Sequence, residues 1–517
     1  MKRFTLNSAF TRAMSELHTW GGLLFGWLLF AIFFTGTLSV FEPELSHWMQ
    51  PNLRSPQAEP IQAVASADQK LRLLDPKADM WMIAMPQKRH PDLEVMWKKG
   101  NVMLEKHLDP QTGSILKAYD TAGGHFFADF HYQLHSGKTG LWIVSLASAV
   151  MLVTLVSGIA IRRQVFQEFF RLRWRPNWLN AHTMTGVLTL PFVLLITYTG
   201  LTITLFLAMP TVPKLLYGST WHGPHMVASQ NFDRPRANLP GEIVPLAELL
   251  PRAEKELGTG NISFIRITNP TDRHAVVTFF RTVDDTIVAM SAKAAFDGIT
   301  GELLGTQLTW NKYVQAYRTL VGLHIARFGG YPICWLYFTA GLVSCIMIAA
   351  GLIFFTIKRR SRYSRSNPIA QGMYRAVEAL TITAVMGVVV ACTAFLWANR
   401  LLPFALKNRA DAEITVFFMV WLLMLLHAFL RPPLRAWAEQ TSLAALLCLG
   451  LPLLNALTTN VGLFPAITQG DWMTAGVDLT AGVLGVGFAL TAKRIFRKEA
   501  TSKIQRSDPR ESIYPSH

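Results

Sequence analysis

Residues 17–36 read LHTWGGLLFGWLLFAIFFTG, and residues 181–200 read AHTMTGVLTLPFVLLITYTG. Each is an apolar run of bilayer-crossing length that opens on a histidine and closes on Thr-Gly. His18 precedes Thr35-Gly36 by 17 residues, and His182 precedes Thr199-Gly200 by the same 17. The chain therefore crosses a membrane, and it does so with a unit that occurs twice.

The repeat extends beyond these spans. Pro86-Gln87-Lys88-Arg89-His90 matches Pro270-Thr271-Asp272-Arg273-His274, and Asp109-Pro110-Gln111-Thr112-Gly113 matches Asp297-Gly298-Ile299-Thr300-Gly301. His131, Trp142 and Gly158 align without gaps on His324, Trp335 and Gly351. Four matches in one order exceed chance. In Asp-x-x-Thr-Gly the Asp suits the cap of a tight turn and the Gly accepts positive φ, so both copies predict a hairpin. The unit is span, outer stretch, span, and its duplication is parallel.

Composition agrees. The 517 residues are 51% hydrophobic and 16% charged, against about 25% charged for soluble domains. The hydropathy predicts a multi-pass α-helical membrane protein with about eight spans, near 18–41, 139–161, 184–209, 331–357, 376–398, 414–430, 440–458 and 473–492. The first apolar run is too long for a cleavable signal peptide. The net charge of +16 does not imply a nucleic-acid partner. The cations gather at span ends, at Arg162, Arg163, Arg171, Arg173 and Arg175, and at Lys358, Arg359, Arg360, Arg362 and Arg365, as the positive-inside rule requires. This orients residues 1–17, the loop 162–183 and the tail 493–517 to the cytoplasm, with the tail expected to be disordered. It exports 42–135 and 210–325, each long enough for a small α+β domain, with strands at Leu93–Trp97 and Val276–Phe280. The first repeat is then 18–161, the second 184–357, and 376–492 forms a four-helix extension.

Histidine inside a bilayer is costly and functional by default. Topology sorts five at span mouths into two layers: His18 and His182 begin outward-going spans near the cytoplasmic face, and His131, His135 and His324 begin inward-going spans near the outer face. Two layers of imidazoles are what two stacked, noncovalent bis-histidine haems require. Nearby Gly21, Gly22, Gly26 and Gly186 let a flat macrocycle approach the backbone. The repeat pairs His131 with His324 as outer ligands, with His135 as a neighbour or alternative. Helix capping at the interface, or a zinc or copper site using His131 and His135 on one helical face, are the competing readings.

Other residues carry less. Cys334, Cys345, Cys392 and Cys448 lie in apolar runs without CxxC or CxxCH spacing and read as small buried hydrophobes. His427 reads as structural. His222 and His225 lie in the second outer loop. Asp478 suits a proton or quinone contact, or an interface. Gly482–Gly487 falls inside a span, so it is no nucleotide site. Electrons would come from a membrane quinol or a cytoplasmic donor.

Leu17-His18-x-Trp20-x-Gly22…Thr35-Gly36, Phe130-His131-x-x-Leu134-His135-Ser136-Gly137 with Gly158, and Leu323-His324 through Gly351 to Lys358-Arg359-Arg360 resemble the PepSY-associated transmembrane-helix family over about residues 10–362. The Asp-x-x-Thr-Gly hairpins resemble the PepSY fold, expected twice outside the inner membrane. The resemblance implies a link to iron acquisition, and a dihaem reductase that releases iron from a ferric siderophore or other ferric chelate. A PepSY-type binding or regulatory protein and a siderophore or ion transporter remain alternatives.

Overall fold

The computed structural model describes residues 8–54, 58–162, 177–209, 230–459 and 461–507, with side chains to 501. Arg163, Arg171, Arg173, Arg175, His222 and His225 lie outside the described residues. In chain order the helices are α1 (Ser8–Ser39), α2 (Glu42–Met49), α3 (Pro60–Leu74), α4 (His125–Gln133), α5 (Gly137–Ile161), α6 (Trp178–Ala208), α7 (Leu246–Leu257), α8 (Lys312–Ile325) and α9 (Gly330–Tyr363). They continue with α10 (Pro368–Leu401), α11 (Arg409–Leu430), α12 (Pro433–Thr459), α13 (Leu463–Thr468) and α14 (Trp472–Ser507). Eight of these, α1, α5, α6, α9, α10, α11, α12 and α14, are long and apolar enough to cross a membrane. The protein is a multi-pass helical membrane protein.

Hydroxyl side chains survive in these spans by bonding their own helix. Thr35 donates to the Ala31 carbonyl at 2.8 Å, Thr154 to Val150 at 2.8 Å and Thr199 to Leu195 at 2.8 Å. These three hydroxyls are thereby satisfied where water is absent.

The chain divides into two compact units. One holds α1, α2, α4, α5, α6 as far as Thr204, α9 from Phe338, and α10–α14. In it α4 buries Phe126, Phe127 and Phe130 against the later spans. Phe126 stacks on Phe395 at 4.5 Å, and Phe130 meets Phe417 edge-on at 5.3 Å, arrangements that the ring quadrupole favours.

The other unit covers 50–119 and 205–337. Its eight strands are β1 (Met80–Ala84), β2 (Leu93–Lys99), β3 (Val102–Leu108), β4 (Ile115–Leu116), β5 (Ile262–Thr268), β6 (Val276–Arg281), β7 (Lys293–Asp297) and β8 (Leu303–Gln307). They form one antiparallel sheet in the order β4-β3-β2-β1-β5-β6-β7-β8. Both inter-span stretches thus have the predicted α+β content, but they merge along the β1–β5 pair, Met80 facing Thr268 and Ala84 facing Phe264. Alternation places Trp81, Ile83, Val95, Ile265, Ile267 and Phe279 in one core with α3 and α7. The two hairpins form as predicted. Asp109 Oδ1 accepts from the amides of Gln111 and Thr112, and Asp297 Oδ1 from those of Ile299 and Thr300, all at 2.9–3.0 Å. Gly113 and Gly301 take φ of +66° and +72°.

Three expectations need correction. His131 and His324 do not begin spans: they lie on the short helices α4 and α8, which end before α5 and α9 start. His131 and His135 do not share a helical face. Leu134 and His135 have φ of 52° and 51°, a left-handed turn that swings His135 off the helix axis. Beyond Lys493 the tail is not disordered from its start, because α14 continues to Ser507.

Candidate functional site

His18 on α1 and His182 on α6 are held in the same way. His18 Nδ1 lies 2.9 Å from the Thr154 carbonyl on α5, and His182 Nδ1 lies 2.8 Å from the Met347 carbonyl on α9. A carbonyl only accepts, so Nδ1 carries the proton and donates, and Nε2 keeps its lone pair. Each ring rests on the glycine one turn past its acceptor. A Cβ at Gly158 would come within 3.0 Å of His18, and one at Gly351 within 2.9 Å of His182. Thr154 and Met347, like Gly158 and Gly351, occupy equivalent places in the two repeats, so the device is duplicated with the chain.

The ring centres of His18 and His182 are 6.0 Å apart, with planes at 66°. Two metal–nitrogen bonds of about 2 Å, plus about 1 Å from each nitrogen to its ring centre, span about 6 Å. Both rings line a cavity of about 530 Å³, within the range of cofactor pockets. Its buried lining is apolar, including Leu29, Met151, Leu155 and Ile348, whereas Arg162 and Lys358, both exposed, and the half-buried Arg359 line its mouth. Gly22, Gly26 and Gly186 line the cavity. Gly21 instead serves helix packing, against Thr154 and Val150 of α5.

His131 repeats the device a third time. Its Nδ1 lies 2.8 Å from the Ile32 carbonyl, and a Cβ at Gly36, one turn on, would fall 2.5 Å from the ring. His135 is exposed, with its ring 6.0 Å from Phe126 and 6.5 Å from Phe418. His324 lies in the sheet-bearing unit, one residue before the end of α8. Among the described residues no group of three or more His, Cys, Asp or Glu side chains is placed to hold a metal ion.

His427 Nε2 lies 2.8 Å from a Glu439 carboxylate oxygen. The four cysteines are free and buried. Asp478 is fully buried, accepting from Trp48 Nε1 at 2.9 Å and Asn455 Nδ2 at 3.0 Å. It belongs to a polar network that the sequence did not reveal. Arg409 pairs with Glu413 at 2.5 Å, both nearly inaccessible. Glu413 also accepts from Thr121 Oγ1 at 2.6 Å, Asn399 Nδ2 at 2.9 Å and the Ala122 amide at 3.1 Å. Arg400 lies 3.9 Å over the Trp48 ring and donates to Asn455 at 3.1 Å. The C-terminal spans thus grip the backbone that leads into α4 and His131. In the sequence Arg400, Arg409 and Glu413 fall between the expected spans 376–398 and 414–430, and of this network only Asp478 stands out.

Compared with known proteins, residues 15–359 match the family model described as "PepSY-associated TM region". No curated protein matches the chain.

Proposed function

This chain belongs to the PepSY-associated transmembrane family, and we propose that within it the protein is a dihaem reductase of the inner membrane. It passes electrons outward to a ferric siderophore or another ferric chelate. The observation that carries this reading is the facing pair His18 and His182, 6.0 Å apart in an apolar slot, each with Nε2 left as the free nitrogen.

Noncovalent haem needs axial nitrogens at fixed separation and apolar walls against both faces. The carbonyls of Thr154 and Met347 fix tautomer and ring direction, which also raises ligand basicity. Zinc fits less well, since it asks for four ligands or three and an open position. Haem b in this slot would supply a one-electron couple. His131, held by Ile32 and Gly36 in the same way, is the first ligand of a second site, and the repeat assigns His324 as its counterpart. The electron donor is a membrane quinol or a cytoplasmic reductant. Reduction weakens the hold of hard oxygen ligands on iron, so a reduced chelate releases its metal.

The test is a visible spectrum of the detergent-purified protein before and after dithionite. A Soret band and a sharp reduced α band are expected, with two haems per chain. Well-folded protein without either band would end the haem reading.

A further inference from the structure

We propose that Arg162, Lys358 and Arg359 are an anion clamp that holds the two propionate carboxylates of the haem at the mouth of the His18–His182 slot. This rests on the haem reading above and deepens it.

The cations come from the helices that orient the ligands. Arg162 lies one turn past Gly158, which supports His18, and Lys358 and Arg359 lie two turns past Gly351, which supports His182. All three line the same cavity as both imidazoles, whereas Arg360, Arg362 and Arg365 at the same helix end do not. Ordinary span-end cations would turn to headgroups. These instead close one end of a slot whose interior offers no charge.

The contacts of Lys358 and Arg359 leave these two room for an anion. Arg359 lies 3.9 Å over the Phe355 ring and 5.9 Å from that of Trp20, and Lys358 Nζ is 5.7 Å from Phe354. Neither has a carboxylate partner among the described residues. Arg162 Nη1 donates to Thr183 Oγ1 at 3.0 Å. Among the described residues Glu16 is the one carboxylate that lines the cavity, and its Oε1 accepts from Arg12 Nε at 3.3 Å. The mouth is therefore a concentrated positive region at the edge of an apolar slot. Haem is an apolar disc with two carboxylates on one edge. Burying that edge among Leu29, Leu190 and Ile348 would strand two charges; turning it to the mouth gives charge-assisted hydrogen bonds. The clamp thus fixes the rotation of the disc, which two axial nitrogens alone leave undetermined. A lipid phosphate presents similar chemistry, and the test separates the two.

Full-length protein produced under haem limitation, in detergent, is titrated with haem b and with its dimethyl ester, which keeps the disc and removes both charges. The wild type should bind the ester about tenfold or more weakly, the scale of one charge-assisted hydrogen bond. Lys358→Gln/Arg359→Gln should lower affinity for haem by a similar factor and leave that for the ester unchanged. Lys358→Arg/Arg359→Lys should keep haem affinity, which separates lost charge from lost fold. Equal binding of haem and ester by the wild type overturns the clamp. It is also overturned if the double glutamine variant loses only co-purifying phosphatidylglycerol and binds haem normally, because the cations then serve lipid. If the wild type takes up neither haem nor ester, the haem reading itself falls, a distinct result.

Discussion

His182 Nδ1 stands 2.8 Å from the carbonyl of Met347, and its ring lies on Gly351 so closely that a methyl there would sit 2.9 Å from it. Orientation of the imidazole therefore depends on a glycine in another span. His18 with Gly158 and His131 with Gly36 follow the same rule, so imidazole orientation can be disturbed without changing a histidine.

His18→Ala and His182→Ala should each remove the same haem, because in the proposed reading both imidazoles would hold that one group. Gly351→Ala and Gly158→Ala should shift the spectrum of that haem while keeping the fold. Gly36→Ala should perturb the other haem most, since its added carbon would lie 2.5 Å from His131. Haem quantified per chain and low-temperature EPR of the oxidised protein are the readouts. Full haem content in either histidine variant would refute the pairing.

For the second haem, His131→Ala and His324→Ala should abolish binding and His135→Ala should retain it. The repeat aligns the first two, and His135 is exposed in a left-handed turn. Loss in the His135 and His324 variants alone means that the ligand of the first repeat has been misassigned.

Arg409→Ala should destabilise the membrane unit by about 3–5 kcal/mol, the cost of breaking a buried ion pair and stranding one charge. Arg409→Met with Glu413→Leu should recover much of that loss. Thermal unfolding in detergent measures both. A single variant as stable as the wild type means that Glu413 finds other partners.

Glu94 gives the sheet a pH dependence. Burial, then the adjacent Glu105 and Asp92, raise its pKa from 4.5 to about 7. A carboxyl that is harder to ionise when folded stabilises the sheet in acid, and this contribution is lost as pH rises from about 4.5 through about 7. Glu94→Gln, which stays neutral, should flatten the fall in unfolding temperature between about pH 5 and pH 8. An unchanged slope assigns the dependence to other groups.

Topology can be read with reporters fused after Gly113 and after Gly301. Both should report export, with the arginine-rich loops retained inside. A cytoplasmic signal from either fusion breaks the proposed orientation.

Much of the architecture was legible because it is local. Span hydropathy, strand alternation at Leu93–Trp97 and Val276–Phe280, and the Asp-x-x-Thr-Gly turns each depend on neighbours in sequence. The repeat made the histidines visible, but not what supports them: Thr154 lies 136 residues from His18, and no period connects them. The break after Gln133 was less legible. Leu134 and His135 are not themselves turn residues, and the local signal is only the Ser136-Gly137 that follows them, with Gly137 at φ +57°. The grip of Glu413 on Thr121 and Ala122 joins positions nearly three hundred residues apart, beyond any motif.

The β1–β5 pair has a consequence for how the protein is made. Strand β1 is complete at Ala84, but β5 begins only at Ile262. At about 5–20 residues per second of synthesis, the first half-sheet waits on the order of ten seconds or more with an unpaired edge at what becomes its centre. Such an edge is a template for pairing with the wrong chain. A product that stops after the first repeat would keep that edge permanently open, so the duplication also commits the two halves to mature as one.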